Sequence, residues 1–99
     1  MTAYVIVDVT VLDPDRYVRY REMAKPVVEA FGGKYLARAG RTETLEGAWA
    51  PTRLVILEFP SLEQAQTWHN SEEYRPAREL RHATASTQMV VIEGYEGVG

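Results

Sequence analysis

The sequence predicts an α+β fold built on one four-stranded antiparallel sheet. Four short runs alternate their residue types with the period of two that a strand imposes. Two longer stretches repeat apolar residues every three or four positions, as one face of a helix does, and the segments follow the order strand, helix, strand, strand, helix, strand.

The first strand runs from Ala3 to Val11, where Val5, Val7, Val9 and Val11 alternate with Tyr4, Ile6, Asp8 and Thr10. Asp13 and Pro14 then open a helix: the carboxylate accepts from free N–H groups, and proline at the first position gives up a donor that has no partner there. Tyr17, Tyr20, Ala24, Val27 and Phe31 form its sheet-facing stripe, and Pro26 is expected to kink the helix without ending it. Gly32 and Gly33 close it.

Lys34 to Ala39 is the second strand. A long connection, Gly40 to Thr52, holds Leu45, Glu46, Gly47, Trp49 and Pro51 and reads as a functional loop or a hairpin extension. Arg53 to Phe59 is the third strand. Ser61 and Gln64 make a capping box for a helix that turns Leu62, Ala65 and Trp68 inward. Asn70 and Ser71 interrupt it, and a second helical piece follows from about Glu72 to His82, with Pro76 in its first turn. Gln88 to Glu93 is the last strand, and Gly94 to Gly99 is expected to be a loose tail.

This order is the split βαβ arrangement of ferredoxin-like folds, a single domain over residues 1–99. Both faces of its sheet are apolar, yet the helices cover one. The other carries Ile6, Leu36, Leu54, Ile56 and either Val90 or Met89 with Val91, so a homodimer closed sheet to sheet is expected. The net charge of −3 offers no general attraction to nucleic acid, and no run reaches the ~20 apolar residues of a membrane span. The absence of cysteine excludes thiolate chemistry and, with no export segment before the first strand, points to a cytoplasmic setting.

Several ordered pieces resemble one family: Phe31-Gly32-Gly33-Lys34-Tyr35-Leu36-Ala37-Arg38, then Leu45-Glu46-Gly47 with Trp49, Glu58-Phe59-Pro60-Ser61, Ala65 with Trp68, and Ser71-Glu72-Glu73-Tyr74 with Arg81. Together they are similar to domain of unknown function 1330 over nearly the whole chain. The resemblance implies a dimeric α+β barrel, the architecture of antibiotic-biosynthesis monooxygenases and muconolactone isomerases, and implies that fold more strongly than any activity. The family pattern usually has tyrosine after the second-helix tryptophan, where this chain has His69, which argues against that histidine as a shared base.

The resemblance marks Arg38, Glu46, Trp49, Glu58, Tyr74 and Arg81 as candidate ligand-binding residues. Arg38 and Glu58 lie on strands in phase with apolar residues, so each must be paired or solvated, and an ion pair fixing the dimer register accounts for them equally. Tyr74 and Arg81, seven apart, share a helix face if the helix is continuous and can hold a carboxylate, phenolate or enolate; alternatively the tyrosine packs in the core and the arginine caps a helix end or pairs with an acid. Trp49 and Glu46 either wall a pocket or dock their loop on the partner. Asp8 is expected to meet Arg38 or solvent. Arg75, Arg78 and Arg81, interleaved with Glu72, Glu73 and Glu79, read as a solvated face.

His69 and His82 lack the spacing of a metal site, and no cofactor motif is present, Gly32-Gly33 following a helix where a phosphate loop would precede one. The expected function is binding of a small anionic or carbonyl compound. Cofactor-free proton transfer or oxygenation extends that reading, with an arginine stabilising an enolate and Glu46 or Glu58 moving the proton. A non-catalytic structural or stress-related dimerisation module is the competing class.

Overall fold

The computed structural model describes residues 1–95, and the expected looseness of residues 96–99 lies outside them. Its elements are β1 (Ala3–Val11), α1 (Pro14–Ala30), β2 (Lys34–Arg38), β3 (Leu54–Phe59), α2 (Leu62–Asn70), α3 (Arg75–Thr84) and β4 (Ala85–Glu93). The sheet order is β2-β3-β1-β4 with every neighbouring pair antiparallel, the ferredoxin-like arrangement that the order of segments predicts.

The helix-covered face is set by one phase of β1. Ala3, Val5, Val7 and Val9 are buried, and their neighbours Leu57 and Phe59 on β3 continue the same layer. Phe59, Trp68 and Tyr74 are among the largest fully buried side chains and stack in sequence, with ring centroids 5.1 Å and 4.5 Å apart. Burying each is worth ~1.5–3 kcal/mol or more, so this column ties β3, α2 and the start of α3 into one core.

The local signals act largely as expected, except that the Gln64 amide donates to the Phe31 carbonyl, so only the Ser61 half of the expected capping box forms. The Asp13 carboxylate accepts from Arg16 N–H, the Ser61 hydroxyl accepts from Gln64 N–H, and α1 continues through Pro26. Gly32 ends α1 with a φ of 82°, in the left-handed region. Gly33 is required for a different reason: a Cβ there would stand 2.7 Å from the Phe59 ring and 2.8 Å from Val28.

Five boundaries differ from the sequence reading, one of them the end of α3, which runs to Thr84 and not to His82. β2 stops at Arg38 because Ala39 turns to a φ of 59°, and β3 begins at Leu54. The connection between them is irregular backbone with no added hairpin strands. α3 starts at Arg75, after a turn in which the Ser71 hydroxyl accepts from Tyr74 N–H. β4 starts at Ala85, because its small polar beginning pairs fully with the far end of β1, Ala85 opposite Val11. Gly94, expected in the loose tail, donates its N–H to the Thr2 carbonyl at 2.7 Å. Among the described residues no helix is long and apolar enough to cross a membrane.

Replacing Gly33 with alanine should destabilise the fold by ~1–3 kcal/mol through overpacking against Phe59 and Val28. Gly40→Ala, where an added Cβ meets nothing within 4 Å, should stay within about 0.5 kcal/mol. Urea unfolding of the two variants measures the difference.

Candidate functional site

α1 packs chiefly against α3 rather than flat on the sheet, and the carbonyl of Thr84 at the end of α3 accepts from the N–H groups of Leu12 and Asp13. Beneath α1 lies a cavity of about 30 Å³. The helical spacing brings Tyr17, Tyr20 and Arg21 to its wall; Tyr35 and Arg38 come from β2, Arg53 from the residue before β3, Trp68 from α2 and Arg81 from α3. On this measure a water molecule needs ~10–15 Å³, so the interior admits a small polar headgroup and nothing larger. Two wider grooves adjoin it. One of about 650 Å³ shares Arg21 and Arg38, and one of about 440 Å³ shares Tyr17, Arg21 and Arg53.

Four arginines and no carboxylate line this cavity. Arg81 is 2 % exposed, and among the described residues none of the four forms an ion pair. They are held by neutral groups instead. Arg81 donates through Nη1 to the Tyr74 hydroxyl at 2.8 Å, and its Nη2 lies 3.1 Å from His82 Nε2. The Tyr74 and Tyr20 hydroxyls are 2.7 Å apart. Arg38 donates to the Arg21 carbonyl and stacks over the Tyr35 ring at 4.3 Å, while Arg53 lies over the Tyr17 ring at 5.6 Å.

Three buried side-chain donors have no protein acceptor among the described residues: Arg21 Nε, Trp68 Nε1 and Arg81 Nε. All three belong to residues lining this one cavity. A wall with surplus donors and surplus positive charge is complementary to an acceptor-rich anion. Burial is the leading cause that raises the phenols of Tyr17, Tyr35 and Tyr74, the Tyr35 group to about 12 and Tyr74 further. Burial, with the charges of Arg81 and Arg78, holds the His69 imidazole below its ordinary value.

The six candidates named from the sequence divide into two groups. Arg38, Tyr74 and Arg81 belong to the cavity or to the hydrogen-bond chain behind it. Glu58 is on the opposite face of the sheet, 3.7 Å from Lys34. Arg38 escapes that face because a register shift between Tyr35 and Ala37 reverses the alternation, setting it opposite Val55. Arg38 and Glu58 therefore do not pair with each other within the chain.

Trp49 and Glu46 lie on the exposed connection. The Trp49 indole donates to Asp8 Oδ2 at 3.0 Å, and Thr52 N–H donates to Asp8 Oδ1 at 3.2 Å. Asp8, expected beside Arg38 or solvent, thus latches the loop to the open face of the sheet. The arginines of α3 also separate in role. Arg75 pairs with Glu72 and Glu79 at the surface as a solvated face should, Arg78 donates to the His69 carbonyl, and Arg81 is buried.

Sequence reasoning placed Tyr17 and Tyr20 in the core stripe alone and passed over Arg21, Tyr35 and Arg53. The available signal was a sheet-facing stripe made of tyrosines, whose hydroxyls need partners when buried.

Sheet order and helix placement define a ferredoxin-like α+β protein, with an arginine-lined cavity under its first helix. The chain belongs to the family described as a domain of unknown function, DUF1330, whose profile matches residues 2–95. A protein of unknown function from Rhodopseudomonas palustris has a similar structure, with a TM-score of 0.78 at 18% identity, covering 96% of this chain and 83% of its own. The cofactor-independent oxygenase SnoaB from Streptomyces nogalater superposes with a TM-score of 0.63 at 8% identity, over 98% of this chain and 95% of its own. A dimeric protein of unknown function and ferredoxin-like fold from Bacteroides fragilis gives a TM-score of 0.54 at 16% identity, over 94% and 96% of the two chains. At these identities the likeness is one of fold. No curated protein matches the sequence.

The buried phenols set an alkaline limit on stability. Unfolded tyrosines ionise near 10.0, whereas folded Tyr35 holds its proton to about 12, so the unfolded chain binds fewer protons in that interval. Stability is complete below pH 10 and should fall as pH rises towards 12. Urea midpoints over that range, with phenolate absorbance followed through each transition, test this, and Tyr74→Phe should reduce the loss.

Proposed function

We propose that the chain works as a homodimer whose subunits each bind a small organic anion, or a carbonyl compound that becomes one, in the cavity beneath α1. The observation that carries the ligand is the coincidence already described: the three partnerless buried donors, Arg21 Nε, Trp68 Nε1 and Arg81 Nε, belong to residues on one cavity wall with no carboxylate. Only the ligand's charged head enters the interior, and its body lies in an adjoining groove, where Arg38 or Arg53 can leave its tyrosine ring and close on it.

For a carbonyl ligand the same donors favour the enolate, the charge through which cofactor-free proton transfer or oxygenation passes. The shared fold with a cofactor-independent oxygenase supports that extension by analogy. Glu46 and Glu58 lie away from this cavity in their own chain, so the arginines and tyrosines carry the proposal.

Pairing is supported by the open face of the sheet. Leu36, Val90 and Ile92 are exposed there beside the partly buried Ile6, Leu54 and Ile56, and a structural neighbour is described as dimeric. A second copy of the same face covers both at once.

Thermal unfolding against small aromatic and β-keto acids tests the ligand. At a hundredfold excess over Kd the folded state gains about 2.7 kcal/mol, which should raise Tm clearly in the wild type and much less in Arg38→Ala, whose side chain is exposed. A wild-type Tm indifferent to every acid overturns the reading. Val90→Glu, opposite Ile6 at the centre of the open face, should convert the dimer to a monomer by sedimentation. A wild-type chain that sediments as a monomer at micromolar concentration removes the pairing.

A further inference from the structure

We infer that Tyr20 donates the hydrogen bond that recognises a single charged ligand oxygen, that of a phenolate or enolate, with Tyr74 and Arg81 as positioning residues behind it. The inference rests on the anion-binding reading above and specifies its ligand.

The direction of the chain Arg81–Tyr74–Tyr20 follows from chemistry. A guanidinium only donates, so at 2.8 Å the Tyr74 oxygen is the acceptor. The Tyr74 proton must then find its own acceptor. Tyr74 is fully buried, and within the described residues its hydroxyl has one other partner, the Tyr20 oxygen at 2.7 Å. If Tyr20 donated instead, the Tyr74 proton would point into packed rings with nothing to accept it. Tyr74 therefore donates to Tyr20, burial keeping the Tyr74 phenol protonated.

The Tyr20 proton is left uncommitted, since its hydroxyl has no second protein partner among the described residues. Tyr20 lines the cavity, whereas Tyr74 stands behind it. An O–H whose oxygen already accepts from a second hydroxyl is polarised into a stronger donor, and Arg81 polarises that hydroxyl in turn. Tyr20 thus joins Arg81 and Trp68, whose Nε and Nε1 groups lack protein partners among the described residues, in lining an interior of about 30 Å³, which suits one oxygen better than the two of a carboxylate. The ligand class is a phenol or an enolisable ketone bound as its oxyanion.

The experiment titrates the full-length protein with para-nitrophenol, whose ionised form is yellow, and with para-nitrobenzoate as a carboxylate of similar shape. The wild type should bind the phenol as its phenolate, with colour appearing below the pH at which the free compound ionises. Tyr20→Phe should weaken phenolate binding by about tenfold or more and carboxylate binding by less. Tyr4→Phe, on the open face of the sheet, should leave both unchanged. Equal phenolate affinity in Tyr20→Phe and wild type overturns the role of Tyr20 while leaving anion binding intact. Failure of the wild type to bind either compound overturns both readings. Should Tyr20→Phe not fold, tyrosine labelled at the hydroxyl-bearing carbon reads the contact by NMR in the wild type. The Tyr20 signal, assigned through α1, should shift on addition of para-nitrophenolate, and a stationary signal counts against the assignment.

Discussion

A guanidinium buried without a carboxylate must be surrounded by groups that accept from it while carrying no charge, and that requirement organises the helical layer of this protein. Arg81 is held by a phenol and an imidazole, and the phenol is held by a second phenol on another helix. The chain of contacts fixes α1 relative to α3 and fills the space under α1 with polar side chains where leucines would otherwise pack. A carboxylate in that space would pair with the arginine and quench its field. Its absence leaves the interior cationic, and the neighbouring Arg38 and Arg53 rest over the Tyr35 and Tyr17 rings.

The two faces of the sheet solve different problems. One phase of β1 is buried by helices and continues into Leu57, Phe59 and Trp68. The other phase is apolar at its centre and carries its charges towards the margins, with Lys34 beside Glu58 at one side and Asp8 under the long loop at the other. Two hydrogen bonds to Asp8 bind that loop to the sheet although its backbone has no regular structure. The loop is therefore placed by a side chain of β1, which gives Trp49 a defined position at the rim of the open face.

The resemblance to cofactor-independent oxygenases is one of backbone architecture, and the chemistry of the cavity has to be read from this chain's own side chains. They are four arginines, three tyrosines and a tryptophan among apolar residues, with no carboxylate.

Most of the fold was legible in the sequence because its determinants are local. Alternation in Ala3 to Val11, the Asp13-Pro14 and Ser61-Gln64 starts and the Gly32 stop each act within a few residues. The start of β4 was not, since Ala85 to Thr87 become strand by pairing with β1 rather than by any apolar pattern of their own. Within the site, the seven-residue spacing of Tyr74 and Arg81 put them on one face, but not in contact with each other as the structure has them. What the sequence could not decide is which side of the sheet Arg38 faces, whose oxygen Tyr74 meets, and what Asp8 holds. A single register shift reverses every side chain beyond it, and contacts between residues 54 or 41 positions apart depend on how helices and loop settle on the sheet. The elements follow from neighbours along the chain; the cavity exists only because three helices and three of the four strands fix, in space, polar groups that the sequence keeps apart.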